Sequence, residues 1–171
     1  MADRVLLVRE APAWLLNVEL QASRDADLLF NLPAYNVLLA REHRMLVRTV
    51  LVLLRQTADQ PELTGTLQSG FSDEPPYLVF RYDIVRVWQL PPEVFLNGGL
   101  GILPLAPISA VTEAQLPAVI RRMGERIRAE TTPDEGGKLW TAADVLMGLR
   151  YPRQLVAELL KGVHGMKESV T

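Results

Sequence analysis

Two polar side chains, Glu19 and Gln21, lie two residues apart in a segment that otherwise has the apolar alternation of a β-strand. Successive side chains of a strand point to opposite faces, so these two project from the same face. The alternation places four residues on each side: Trp14, Leu16, Val18 and Leu20 on an apolar face, and Leu15, Asn17, Glu19 and Gln21 on a polar one. A carboxylate and an amide on one face can ligate a cation or orient water.

A second acid, Asp3, begins another short strand pattern at residues 3–8, and Pro12 lies in the connecting segment, as is typical of a turn. Folding the hairpin about Ala11 predicts three opposed pairs: Asp3 with Glu19, Leu6 with Leu16, and Val8 with Trp14. A slip of one residue would set Asp3 against Leu20 and mix the two faces. The first register is therefore predicted.

In that register the carboxylates of Asp3 and Glu19 lie side by side, since opposed residues of antiparallel strands have Cβ atoms about 4.5–5.5 Å apart. Two like charges at this distance repel unless a proton or a cation lies between them. Mg²⁺ suits the position because it takes oxygen ligands, commonly one or two carboxylates with water and phosphate. The spacing predicts a site for Mg²⁺ or Mn²⁺ at Asp3 and Glu19, with Gln21 beside it. The alternative is a hairpin with a solvated polar edge.

With Asp3 at the head of the preceding strand, the run Glu-Leu-Gln-Ala-Ser at 19–23 resembles the D…ExQ variant of the PD-(D/E)XK nuclease motif. The resemblance is to the Rpn (YhgA-like) family of recombination-promoting nucleases and transposases, and it covers nearly the whole chain. It includes Arg24-Asp25, Tyr35-Asn36, the apolar run 47–54, Phe80-Arg81-Tyr82, Val87-Trp88, and the segments 103–107 and 165–169.

The resemblance implies an α/β fold with a PD-(D/E)XK restriction-endonuclease-like mixed sheet flanked by helices. It also implies a DNA endonuclease dependent on Mg²⁺ or Mn²⁺ that hydrolyses phosphodiester bonds. Asp3 and Glu19 would hold the metal and act in catalysis with Gln21, while Ser23 and Arg24 would contact the DNA phosphates. Gln21 stands where many relatives have lysine, and a neutral amide can orient water but supplies no positive charge.

The chain also departs from the family pattern. Family members begin with an earlier helix and strand, and many continue into a charged helical tail, so the resemblance implies a chain abridged at both ends. Basic family positions fall here in the run 30–34, where Pro33 is expected to kink or end a helix. These departures favour an alternative: a catalytically inactive remnant of the fold that acts as a protein- or DNA-interaction module.

Several further elements are expected around the hairpin. A helical pattern at 27–44, with Ser23 or Asp25 as N-cap, precedes an apolar strand at 45–54. Together with the Glu19 strand they form a right-handed β-α-β unit. Segment 56–76 is predicted to be a loop with one short strand near 63–67, and the alternation at 77–88 predicts a single strand.

Three helical patterns complete the chain. The first has an apolar stripe and a cluster of arginines: Leu116, Ile120, Met123 and Ile127 form the stripe, and Arg121, Arg122, Arg126 and Arg128 the cluster. The arginines could contact a nucleic-acid backbone or form a solvated face. Residues 131–137 are predicted to be a loop, and Thr141 with Asp144 resembles a capping box that opens the next helix. The last helix is expected to bury Leu155, Val156, Leu159 and Leu160.

Composition indicates an ordinary soluble protein: of its 171 residues 49% are hydrophobic and 22% charged, with a net charge of −2. One compact domain is expected, with a nuclease-like core at 1–110 and a helical C-terminal annex at 111–171 packed on it. The absence of cysteine excludes disulfides and cysteine-bound zinc and agrees with a cytoplasmic location. The apolar run 50–54 is too short for a membrane span. The expected partner is DNA, no membrane is expected, and a homodimer is left open.

Overall fold

The computed structural model describes the backbone of residues 4–165 and the side chains of residues 4–161. The chain divides into two compact units, residues 1–86 and 87–171. The first unit is mixed α/β, and the described part of the second contains helices and no strand. The predicted boundary between a core and a helical annex, between residues 110 and 111, stays a prediction.

The first unit is built on a mixed four-stranded sheet with the order β1-β2-β3-β6, accompanied by a separate two-stranded sheet of β4 and β5. Strand β1 is antiparallel to β2, whereas β2, β3 and β6 are parallel. The elements are β1 (Arg4–Val8), β2 (Trp14–Gln21), α1 (Leu28–His43), β3 (Val47–Leu53), β4 (Thr66–Ser69), β5 (Leu78–Arg81) and β6 (Asp83–Arg86), with a 3-10 turn at Gln56–Ala58.

The hairpin of β1 and β2 has the predicted register wherever its residues are described. Leu6 lies opposite Leu16, and Val8 lies opposite Trp14. The predicted pairing of Asp3 with Glu19 lies outside the described residues, because these begin at residue 4. Strand β1 is the edge of the sheet, and Leu6 and Leu7 on it are exposed.

Helix α1 connects the parallel strands β2 and β3 and packs on β3, as the β-α-β prediction requires. Pro33 was expected to kink or end the helix; it does not end it, since α1 continues through Pro33 to His43, and the kink stays a prediction. Proline removes one N–H from the helix, but Pro33 is itself buried together with Leu28 and Leu32, and this packing offsets the loss.

The predicted N-cap of α1 is wrong as well. The helix begins after Asp27, whose side chain makes no capping hydrogen bond. Neither Ser23 nor Asp25 occupies the cap position. Asp25 instead accepts the backbone N–H of Asp27 through Oδ1 at 2.9 Å, which closes a turn just before the helix.

The predicted single strand at 77–88 is two strands in different sheets. β5 pairs with β4, whereas β6 pairs with β3, and residues 87–89 form a 3-10 turn. Between the strands, Tyr82 donates its N–H to the carbonyl of Gly65 at 3.0 Å. Alternation defines the two faces of an extended segment but not the neighbour with which it pairs, so the sequence pattern could not reveal the change of sheet.

The second unit is helical throughout its described residues. Its elements are α2 (Pro92–Leu96), α3 (Leu116–Glu130), α4 (Pro133–Gly148) and α5 (Arg153–Gly165), with 3-10 segments at Val87–Gln89, Leu100–Ile108 and Glu113–Gln115. The predicted stripe of α3 is confirmed, since all four of its residues are buried. The apolar segment Leu100–Ile108 lies against α2, α3 and α4. None of the helices in the described residues is long and apolar enough to cross a membrane.

The start of α4 corrects the loop predicted at residues 131–137. Thr132 is the N-cap: its hydroxyl accepts the N–H of Glu135, and the Glu135 carboxylate accepts the N–H of Thr132. Pro133 occupies the first helical turn, where its missing N–H has no cost. The sequence Thr-Pro-Asp-Glu therefore contains a capping box. Thr141, the predicted cap, lies inside the helix and donates its hydroxyl to the carbonyl of Gly137.

A bidentate ion pair holds the loop after β3 to strand β6. Arg86 donates to both carboxylate oxygens of Asp59, at 2.8 and 3.0 Å, and to the carbonyl of Leu63 at 3.1 Å. The hydrogen bonds from Arg86 lower the pKa of the Asp59 carboxyl below its usual value. Both side chains are about a quarter exposed, at 26% and 29%, compared with 64% and 57% for the pair Arg48 and Asp83.

We expect Arg86→Gln to lower the free energy of unfolding by about 1–3 kcal/mol at neutral pH, because it leaves a partly buried carboxylate without its charged partner. The stabilisation from Asp59 is present above its usual pKa and is lost as the pH falls through the lowered pKa. The difference between wild type and variant should therefore shrink in acid. Urea unfolding at pH 7 and near pH 3 measures it.

Arg48→Gln is the matched control, since it breaks an exposed pair on the same sheet and should cost less than about 1 kcal/mol. Equal losses in the two variants at pH 7 would contradict the role given to Arg86.

Candidate functional site

The candidate site lies on the polar face of β2, which is the covered face of the strand. Leu15, Asn17 and Glu19 are buried, whereas Leu20 on the apolar face is 45% exposed. Parallel pairing places Asn17 beside Thr49 of β3, and Thr49 accepts a hydrogen bond from Asn36 of α1. Since directly paired residues share a face, α1 lies over the face that carries Asn17 and Glu19.

Glu19 and Gln21 are brought together, as the sequence predicts. The Glu19 side chain is 8% exposed, and its Oε1 accepts a hydrogen bond from Nε2 of Gln21 at 3.5 Å, a long and weak contact. The neighbouring residues on β3 are Leu51 and Leu53, which are fully buried. A carboxylate in such apolar surroundings is costly unless it is bonded or neutralised.

Asn17 and the Asn36–Thr49 pair are features of the site that sequence analysis did not identify as functional. Nδ2 of Asn36 donates to the carbonyl of Val47 and to Oγ1 of Thr49, both at 3.0 Å. Asn17 is completely buried, yet neither its Oδ1 nor its Nδ2 has a hydrogen-bond partner among the described residues. The available signal was the alternation of β2, which places Asn17 on the face of Glu19.

The other predicted site residues have different placements. Ser23 and Arg24 are exposed and follow the last residue of β2, Gln21. They therefore lie beyond the carboxyl end of a parallel strand, which is where ligands bind in open α/β sheets. Asp3 lies outside the described residues. Of the predicted set, the structure brings together Glu19 and Gln21.

The donor atoms of this face are of the type that Mg²⁺ and Mn²⁺ take. Glu19 supplies a carboxylate, and Asn17 and Gln21 supply amide oxygens, which are hard ligands. In the residues from 4 to 165, no group of three or more His, Cys, Asp or Glu side chains is placed to hold a metal ion. The described residues fit a magnesium site by donor type and provide a single negative charge for it.

Comparison of the chain with family models, with curated proteins and with solved structures finds no match. The structure is mixed α/β, with a mixed sheet flanked by helices.

We expect Asn17→Val to raise the free energy of unfolding by about 1–3 kcal/mol, because it replaces a buried amide without partners by an apolar side chain of similar size. Thr49→Val is the matched variant, since it lies beside Asn17 in the sheet and is equally buried. Its loss of the Asn36 hydrogen bond should lower stability by about 0.5–1.5 kcal/mol. Chemical denaturation of both proteins measures the two changes, and a loss of stability in Asn17→Val would show that its amide is satisfied in solution.

Proposed function

We propose that the protein is a metal-dependent DNA endonuclease of the recombination-promoting type, hydrolysing phosphodiester bonds with Mg²⁺ or Mn²⁺. The observation that carries the proposal is the buried carboxylate of Glu19, hydrogen-bonded to Gln21 on a strand between an antiparallel and a parallel neighbour. The order of hairpin, crossover helix and parallel strand supports it, because this is the core that the D…ExQ resemblance implies.

Each proposed residue has a distinct role. Glu19 and Asp3 would hold the metal ion, which when bound lowers the pKa of its water and offsets charge developing on the phosphate. Gln21 contacts the Glu19 carboxylate weakly through its Nε2 donor, and its carbonyl oxygen can orient an attacking water by accepting a hydrogen bond from it. Arg24 and Ser23, exposed beyond the end of β2, would bind the phosphate oxygens, Arg24 by a charge-assisted bond.

We expect purified protein to nick supercoiled plasmid DNA in the presence of Mg²⁺ or Mn²⁺, and Glu19→Gln to lower the rate by about 100-fold or more, because the amide removes the negative charge while keeping the shape. Gel electrophoresis of the plasmid over time measures the rate. Glu10→Gln is the matched control: Glu10 is an exposed acid of the same hairpin that accepts a hydrogen bond from Trp14. A nicking rate in Glu19→Gln equal to that of the wild type would contradict the proposal.

A second candidate is a non-catalytic interaction module derived from the same fold. It is favoured by an apolar groove of about 620 Å³ between α1 and the small sheet, in the first unit. Phe30, Val37 and Leu38 of α1 and Tyr77 beside β5 line it, and Phe30 is 81% exposed. Exposed apolar surface of this kind is typical of contact with another macromolecule.

Addition of MgCl₂ separates the two candidates without any assay of cleavage. A ligand that binds only the folded state raises the melting temperature, so the nuclease proposal expects a rise in wild type that is absent in Glu19→Gln. The quantity compared is the change caused by Mg²⁺ in each protein, because the substitution itself alters the melting temperature. NaCl at equal ionic strength is the control, and an equal response to both salts favours the interaction module.

A further inference from the structure

A cavity of about 450 Å³ lies between α3 and α4, within the second unit, whereas the candidate nuclease site is formed by residues of the first unit. This volume is in the range of small-molecule binding sites. Its walls are mainly apolar, with Ile120 and Ile127 from α3 and Trp140 from α4. Trp140 is 9% exposed, so only a small part of its indole borders the open space.

Three glycines, at positions 124, 136 and 137, border the cavity. A Cβ at Gly136 would lie 2.9 Å from Cγ2 of Ile127, so α3 and α4 are in close contact at that level. A Cβ at Gly124 would lie 3.6 Å from the ring of Trp140, and one at Gly137 would meet nothing within 4 Å. At Gly137 the cavity is therefore bounded by backbone without a side chain, which leaves room for a ligand beside α4.

The charge at the cavity is positive. Of the four arginines predicted as a basic cluster on α3, Arg122 is paired with Glu93 at 3.3 Å and Arg126 with Glu130 at 2.7 Å. Arg121 and Arg128 line the cavity, and none of its lining residues is Asp or Glu. Arg121 forms no ion pair with any residue of the described range 4–161.

We propose that this cavity is a binding site for a small aromatic anion, with its apolar body between the two helices and its anionic group on Arg121. The apolar walls favour a hydrophobic body, and the guanidinium donates paired hydrogen bonds to a carboxylate or sulfonate. The site is independent of Glu19 and of the nuclease proposal.

The probe is 1-anilinonaphthalene-8-sulfonate, titrated against the full chain and followed by its fluorescence. Saturable binding of one molecule is expected. Gly137→Leu should weaken it by about tenfold or more, since Gly137 lines the cavity and a leucine would occupy the open space at its Cβ position. Gly148→Leu is the matched control: it lies on the same helix, its Cβ also meets nothing within 4 Å, and it is outside the cavity lining.

The charge is tested by Arg121→Gln, an exposed substitution that does not depend on the packing between the helices. It should weaken binding of the sulfonate by about tenfold, as the loss of one charge-assisted contact does. It should leave binding of the neutral N-phenyl-1-naphthylamine unchanged. Arg122→Gln, whose partner is Glu93 outside the cavity, is the control for net charge.

Two results would overturn the proposal. Sulfonate binding that is equal in wild type, Gly137→Leu and Arg121→Gln would place the probe elsewhere, for example on the exposed apolar groove of α1. An equal loss in Arg121→Gln and Arg122→Gln would show a general effect of surface charge rather than a contact in the cavity.

Discussion

The parallel pairing of β2 with β3 is the constraint on which the first unit depends. Parallel neighbours require a crossover, and α1 supplies it across one face of the sheet. That face carries Asn17, Glu19 and Thr49, so polar groups are taken out of water where apolar residues would ordinarily be expected. The connection that completes the sheet is also the one that covers the candidate site.

Much of this arrangement follows from local pattern. The alternation of β1 and β2 determines which residues face each other, and the register at Leu6 and Val8 agrees with the structure. Glu19 and Gln21 lie together for the same reason, since a period of two leaves no other arrangement within one strand. The apolar stripe of α3 could be predicted in the same way, because its spacing of three and four residues matches the helix period.

Other features depend on contacts between distant residues and could not be read from local pattern. Alternation could not indicate that Asn17 would be covered by α1, since burial of that face depends on where the crossover helix lies. Nor could it show that residues 78–86 serve two sheets, which is decided by pairing with β4 and β3. The capping box at Thr132 is a different case, because it is a local pattern: it was present in the sequence, but the two glycines that follow favoured a loop.

The arginines of α3 have different tertiary contacts, although they form a single cluster in the sequence. Arg122 and Arg126 are neutralised by acids, and Arg126 also donates to the carbonyls of Leu96 and Gly98, so it ties α3 to the end of α2. Arg121 and Arg128 line the cavity between α3 and α4. The four arginines therefore have two roles, although they form one basic patch in the sequence. Two of them stabilise the packing of α3, and the other two give the cavity its positive charge.

Proline at position 33 changes how the start of α1 is held on the sheet. Pro33 has no N–H to donate to the carbonyl of Leu29, so the first turn of α1 is joined to the remainder by one backbone hydrogen bond fewer. Leu28 and Leu32, which are 2% and 1% exposed, lie near this position together with the buried proline. Burial of these side chains, more than the hydrogen bonds of the helix, therefore keeps the start of the crossover helix on the face that carries Glu19.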